Sequence, residues 1–161
     1  DLCMSQAYTR AIRTHGQRRH WRHAMHSISE MRSRRLEPEV ITYSAVIAAC
    51  EKCAQWQEAV GAFFQMRRYG VAPNAITYTA AISPCGPRAQ WQEAFGMFED
   101  MRLRSVEPNV FTYGAAISAC ERGARWHEAW GALQDMRQTS LEPDVITYNA
   151  AISACEKAAR W

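Results

Sequence analysis

Apolar residues in this 161-residue chain fall into two kinds of short stripe that alternate along its length. Within residues 40–74, Tyr43, Val46, Ile47 and Cys50 stand at i, i+3, i+4 and i+7, the spacing of one helix face. After a polar gap comes a second stripe of Trp56, Ala59, Val60, Phe63 and Met66. Together the stripes predict two amphipathic helices joined by a tight turn. The second stripe returns as Trp91, Ala94, Phe95, Phe98 and Met101, and again as Trp126, Ala129, Trp130, Leu133 and Met136. Even the divergent opening keeps Trp21, Ala24, Met25, Ile28 and Met31. Nowhere do apolar and polar residues alternate over a strand's length, so the expected fold class is all-α.

The stripes have a fixed period. Pro38, Pro73, Pro108 and Pro143 are thirty-five residues apart, and so are the Thr-Tyr pairs that begin at Thr42, Thr77, Thr112 and Thr147. Repeats are therefore set at 5–39, 40–74, 75–109 and 110–144, with 145–161 opening a fifth. A period of this length marks one supersecondary unit that buries its apolar face only against its neighbours. It predicts an α-α superhelix, a right-handed solenoid of helical hairpins forming a single array over residues 1–161. Because the chain starts at Asp1 and stops part-way through a repeat, both ends are expected to be edges of a longer protein.

Gly70 and Pro73 provide a helix stop in the second repeat, and proline alone does so in the others. Gly61, Gly96 and Gly131 lie inside the second helix, where glycine costs up to ~1 kcal/mol against alanine, and a recurring cost is read as close helix approach. Repeat 75–109 departs from its neighbours. It carries Ser83-Pro84-Cys85-Gly86-Pro87 where the next reads Ser118-Ala119-Cys120-Glu121-Arg122. An internal proline removes one helix hydrogen bond and clashes with the preceding turn at about 3 kcal/mol, so this first helix should kink or end early.

The net charge of +3 is unevenly spread, since residues 1–39 hold eight basic against four acidic groups. The run Arg18-Arg19-His20-Trp21-Arg22-His23 reads either as a phosphate-binding patch or as a solvated helix face. Four of the six cysteines are one recurring position: Cys50, Cys85, Cys120 and Cys155. Stacked helices sit roughly 10 Å apart, beyond the Cα separation of about 7 Å that a disulfide tolerates. These are expected to be buried thiols in a reducing compartment.

Neither a metal nor a cofactor is expected. Cys50 and Cys53 lack a second pair at ligand spacing, and His20, His23 and His26 are flanked by arginines that would repel a cation. No uncharged apolar run approaches the eighteen residues of a membrane span. With no repeated carboxylate pair and no Ser-His or Cys-His pairing at a fixed spacing, catalysis is not expected of these residues, and any catalytic domain would lie outside them.

Ile41-Thr42-Tyr43-Ser44, Ile76-Thr77-Tyr78-Thr79, Phe111-Thr112-Tyr113-Gly114 and Ile146-Thr147-Tyr148-Asn149 open the repeats, and Pro73-Asn74, Pro108-Asn109 and Pro143-Asp144 close three of them. This arrangement resembles the P-type, thirty-five-residue repeats of the pentatricopeptide repeat family. Tetratricopeptide repeats, the nearest rival, have a period of thirty-four and lack the Thr-Tyr start.

The resemblance implies single-stranded RNA as partner, read one base per repeat by two or three side chains. It further implies a chloroplast or mitochondrial location and a role in RNA processing, stability or editing. By the family pattern, the residue after Tyr and the residue after the closing Pro read the base, while the apolar residue before Thr-Tyr wedges between bases. Carried over, the wedges are Ile41, Ile76, Phe111 and Ile146. Ser44 with Asn74, and Thr79 with Asn109, imply adenine. Gly114 with Asp144 leaves a guanine-or-uracil preference, and Asn149 implies a pyrimidine. Thr9 is matched with Glu39, a rare second reader, and Gln6 stands at the wedge position, so that repeat is expected to bind without clear specificity. Asn74, Asn109 and Asp144 read equally well as helix N-caps, and the two roles are compatible. The runner-up to RNA binding is a scaffold that holds a peptide or partner helix.

Overall fold

The computed structural model describes residues 2–84 and 90–158. Among them every regular element is helical: α1 (Leu2–Gln17), α2 (Trp21–Ser33), α3 (Val40–Lys52), α4 (Trp56–Arg68), α5 (Ala75–Ile82), α6 (Trp91–Leu103), α7 (Val110–Arg122), α8 (Trp126–Gln138) and α9 (Val145–Ala158). They belong to two compact bodies, Asp1–Pro84 and Cys85–Trp161. In the first, α1 pairs with α2 and α3 with α4, while α1 stacks on α3 and α3 on α5. In the second, α7 pairs with α8 and stacks on α9, and α6 packs on α7.

The two stripes pack as their spacing requires. Met31, Met66, Met101 and Met136 are fully buried, as are Phe63 and Phe98. Two tyrosines of the Thr-Tyr pairs meet the phenylalanine of the preceding second helix, with Phe63 and Tyr78 ring centroids 4.9 Å apart and Phe98 and Tyr113 5.2 Å apart. Burial of a Phe or Met side chain contributes about 1.5–3 kcal/mol, so these positions fix how one helix follows the next.

Helices end through a device that only Gly70 betrays in the sequence. Arg19, Ala54 and Ala124 follow first helices, and Arg35, Gly70, Ser105 and Ser140 follow second ones, all with positive φ. The next N–H then reaches back to a carbonyl five residues earlier, as Gln55 does to Cys50 (2.9 Å) and Leu36 to Met31 (2.9 Å). The left-handed residue turns the chain while those terminal carbonyls stay bonded.

Pro84 acts as its chemistry requires. Helix α5 ends at Ile82 after 8 residues, whereas the equivalent α3 and α7 each run 13. Cys85, Gly86 and Pro87, part of the same expectation, lie outside the described residues.

The reading of Gly61, Gly96 and Gly131 is corrected by the structure. All three are exposed, and a Cβ added to any of them would meet nothing within 4 Å. The close approaches occur elsewhere. A Cβ on Gly16 would lie 3.2 Å from Ala49 Cβ, and one on Gly123 would fall 2.5 Å from the Trp91 ring. Trp91 lies under the turn after α7, where Arg125 also covers its ring at 4.6 Å. Trp126 and Trp130 are instead 40% and 50% exposed, and Arg160, the sequence equivalent of Arg125, lies outside the described residues.

Cys50 and Cys120 are fully buried, and burial pushes both thiols up to about 12. Cys155 is half-buried and Cys3 exposed, and Cys85 lies outside the described residues. Among the described residues, no helix is long and apolar enough to cross a membrane.

Candidate nucleic-acid interface

The wedge positions are large, apolar and exposed in every repeat that has them. Ile41, Ile76, Phe111 and Ile146 are 53%, 66%, 78% and 71% exposed, each one residue inside a first helix. Scattered apolar residues on a surface are ordinary, but four recurring at one helical position form a built feature.

Beside three of these positions, Ile76, Phe111 and Ile146, the residue after the closing proline has its side chain already occupied on one side. Asn74 Oδ1 accepts the Thr77 N–H at 3.0 Å, and Thr77 Oγ1 in turn accepts the Asn74 N–H at 2.8 Å. Asn109 repeats this reciprocal cap, accepting from the N–H and the hydroxyl of Thr112, both at 2.9 Å. Asp144 Oδ1 accepts from the Thr147 N–H at 2.7 Å and its hydroxyl at 2.6 Å. These bonds hold the Asp144 carboxyl below the usual carboxylate range. Thr77, Thr112 and Thr147 are therefore the cap's partners, and with Thr42 they are buried to 1% exposure or less. Asn-x-x-Thr is a legible variant of the capping box that the sequence reading passed over.

Geometry decides which atoms remain to face a ligand. A backbone N–H requires an oxygen, so capping fixes the amide of Asn74 and Asn109 with its oxygen inward and its NH2 outward. The bonds to Thr147 use Oδ1 of Asp144, and its Oδ2, like any carboxylate oxygen, can only accept.

The first-turn residues fold back on their own helices. Ser44 Oγ donates to Val40 O at 2.6 Å and Thr79 Oγ1 to Ala75 O at 2.8 Å. In the first body, Ser44, Asn74, Ile41 and Ile76 line one cleft of about 470 Å³ together with Arg13 and Lys52. The two cations were not singled out in the sequence, because a lone Arg or Lys on a helix carries no register. Thr79 belongs to the first body and Asn109 to the second. A Cβ on Gly114 would lie 3.7 Å from the Thr147 hydroxyl that binds Asp144, so the Gly114 position adjoins that cap. Asn149 is exposed on α9.

The first repeat is built differently. Glu39 occupies the N-cap of α3 with no side-chain cap bond, and Thr9 Oγ1 lies 2.9 Å from Thr42 Oγ1. Among the described residues, no group of three or more His, Cys, Asp or Glu side chains is placed to hold a metal ion. His15 and His23 stack at 5.3 Å, with His20 5.5 Å from His23.

The model of the pentatricopeptide repeat domain matches residues 6–53, 63–123 and 96–158, and that of the PPR repeat family matches residues 38–86. No curated protein sequence matches the chain. Among solved structures, the pentatricopeptide repeat protein PPR10 in complex with an 18-nt psaJ RNA element is 28% identical with a TM-score of 0.74, over 97% of this chain and 23% of that one. PPR10 from maize is 30% identical with a TM-score of 0.67, over 91% of this chain and 21% of that one. The PPR domain of Arabidopsis thaliana protein-only RNase P 1, solved in complex with tRNA, is 17% identical with a TM-score of 0.79, over 94% of this chain and 83% of that one. The last is a likeness of fold alone. This chain spans about a quarter of the PPR10 chain, at 23%. The fold class is the all-α superhelix of helical repeats, and by the match of the repeat model along most of its length the chain belongs to the pentatricopeptide repeat family.

Proposed function

We propose that this chain binds single-stranded RNA, taking one base per repeat at the N-terminal ends of its first helices. The observation that carries the reading is the pairing of an exposed apolar wedge with a reader whose polarity is set by its cap. Splayed bases stack on apolar side chains and are read on their hydrogen-bonding edges. The outward amide NH2 of Asn74 donates to a ring nitrogen acceptor, such as N1 of adenine or N3 of cytosine. Oδ2 of Asp144 accepts an imino N–H from guanine or uracil. Because the cap orders these side chains before RNA arrives, little rotamer entropy is lost on binding. Arg13 and Lys52 on the same cleft supply charge for the phosphates.

By the family pattern, Ser44 with Asn74 and Thr79 with Asn109 select adenine. An organellar role in RNA processing, stability or editing follows from family resemblance, and localisation of the tagged full-length protein tests it. No catalytic role is assigned to these residues.

The decisive experiment is Asn74→Asp, measured with RNAs that differ at one nucleotide. Aspartate caps α5 as well as asparagine does but turns a donor into an acceptor, so preference at that nucleotide moves from adenine to guanine. The relative affinity shifts about tenfold or more, the cost of one lost base hydrogen bond. If both proteins rank the four bases alike, Asn74 is a cap only. If neither binds RNA, the scaffold reading takes its place.

A further inference from the structure

Between α7 and α9 the second body carries a bridge whose counterpart between α1 and α3 of the first body is missing. One oxygen of Glu121, Oε1, accepts from Ser153 Oγ at 2.9 Å and from Lys157 Nζ at 2.8 Å. Counted back three periods of thirty-five residues, Glu121, Ser153 and Lys157 fall on Gly16, Ala48 and Lys52. Those three line the cleft of the first body that also holds Ser44, Asn74 and Arg13. Gly16 and Ala48 offer no polar side chain to it, and among the described residues Lys52 forms no ion pair. The lysine is thus kept at one register in both bodies, but only one of the two is tied to a carboxylate.

We propose that Glu121 withholds Lys157 from RNA, so that the lysine register that meets phosphate in the first body is silent in the second. The inference rests on the RNA reading proposed above, in which Lys52 supplies charge for the strand. A lysine adds to RNA affinity by replacing counterions around a phosphate. An ammonium bound to a carboxylate has no net charge to exchange, and a phosphate approaching Lys157 meets Glu121 as well. Solvent does not screen this away, because the Glu121 side chain is only 24% exposed against 42% for Lys157. Ser153 bonds the same oxygen and anchors the carboxylate beside the ammonium. Glu121 therefore acts on RNA through Lys157, without touching the strand.

The salt dependence of affinity for single-stranded RNA tests the assignment. Glu121→Gln is the probe, because a glutamine oxygen still accepts from Ser153 while the charge is lost. E121Q is expected to steepen the slope of log affinity against log salt by about 0.7, the value of one phosphate contact on a single strand, and to bind about threefold more tightly at low salt. Glu93→Gln removes an equal charge from an exposed position on α6 and leaves the slope unchanged. Lys157→Gln added to E121Q returns the slope to that of wild type.

A slope unmoved by E121Q, an equal effect from E93Q, or a gain that persists in the E121Q/K157Q double variant would overturn the inference. Lys52→Gln reads the underlying assignment separately, since it should flatten the slope by about 0.7. If K52Q leaves the slope as it is, this register meets no phosphate in either body and the role of Glu121 falls with it. A wild type that binds no single-stranded RNA at any salt removes the RNA reading itself.

Discussion

Gly61, Gly96 and Gly131 look alike in sequence to Gly123, yet their surroundings oppose them. A methyl group at the first three would enter open space, while one on Gly123 would overlap Trp91 at 2.5 Å. Gly96→Ala is therefore expected to stabilise the chain by up to about 1 kcal/mol through helix propensity alone. Gly123→Ala has an ordinary φ of −81° and is expected to destabilise by about 1–3 kcal/mol, because the overlap falls on the base of the indole. Equilibrium urea unfolding of the two variants reads both signs. Periodicity identifies where a glycine recurs but not what lies across from it, which is why the sequence misjudged these three. It did place an exposed apolar residue in the first turn of each of four first helices and an N-cap after the proline, because their register is tied to a fixed spacing within the chain. The capping threonines were also visible in it, and went unread only because a buried hydroxyl shares a position with ordinary helix residues.

The left-handed turns give the elements a cost that can be lifted. Ala124 sits at φ 53° and Ser105 at φ 56°, where a Cβ is unfavourable by roughly 1–2 kcal/mol, while Gly70 holds the same conformation without it. Ser105→Gly and Ala124→Gly should each stabilise by about 0.5–1 kcal/mol after the greater freedom of glycine in the unfolded chain is offset. An unchanged urea midpoint would count against a left-handed stop at that site. Pro84→Ala acts on the opposite problem. It restores the hydrogen-bond donor and removes the clash that end α5 at Ile82, and a gain of about 1 kcal/mol or more is expected, with added helical signal in far-UV circular dichroism. The early stop was legible because proline acts locally. The turns were not, because Arg, Ala and Ser carry no sequence mark of positive φ.

At the scale of the whole molecule, one recurring carboxylate titrates in two ways. Burial pushes Glu121 up, but bonds from Lys157 at 2.8 Å and Ser153 at 2.9 Å outweigh it and hold the carboxyl below its ordinary range. Burial raises Glu51, which has the Ser83 bond, while the sequence places Pro87 where Lys157 stands. The signs follow. A depressed folded pKa means that the Glu121 contribution is present above the ordinary carboxylate value of 4.5 and is lost as pH falls below it. A raised one means that Glu51 favours the folded chain in acid and weakens it as pH climbs through and above 4.5. Glu51→Gln should therefore raise Tm at pH 7 and lose that advantage near pH 4, whereas Lys157→Met should lower Tm at pH 7 and converge on wild type in acid. Thiol chemistry offers a second global measure. Native protein should expose Cys3 to a disulfide reagent at once and Cys50 and Cys120 slowly, and all six thiols should react in denaturant without reductant.

On the base-reading role proposed above, the cap at Asn74, Asn109 and Asp144 bears on how such a chain changes its target. Asparagine and aspartate are nearly equal as N-caps, so exchanging one for the other leaves folding stability almost untouched while inverting the polarity offered to a base. Retargeting between these two letters is thus close to free drift in the folded state. Serine and threonine can cap as well, but most other residues give up the cap, as Glu39 does, so the alphabet at this position is narrow for reasons of helix physics before RNA is considered.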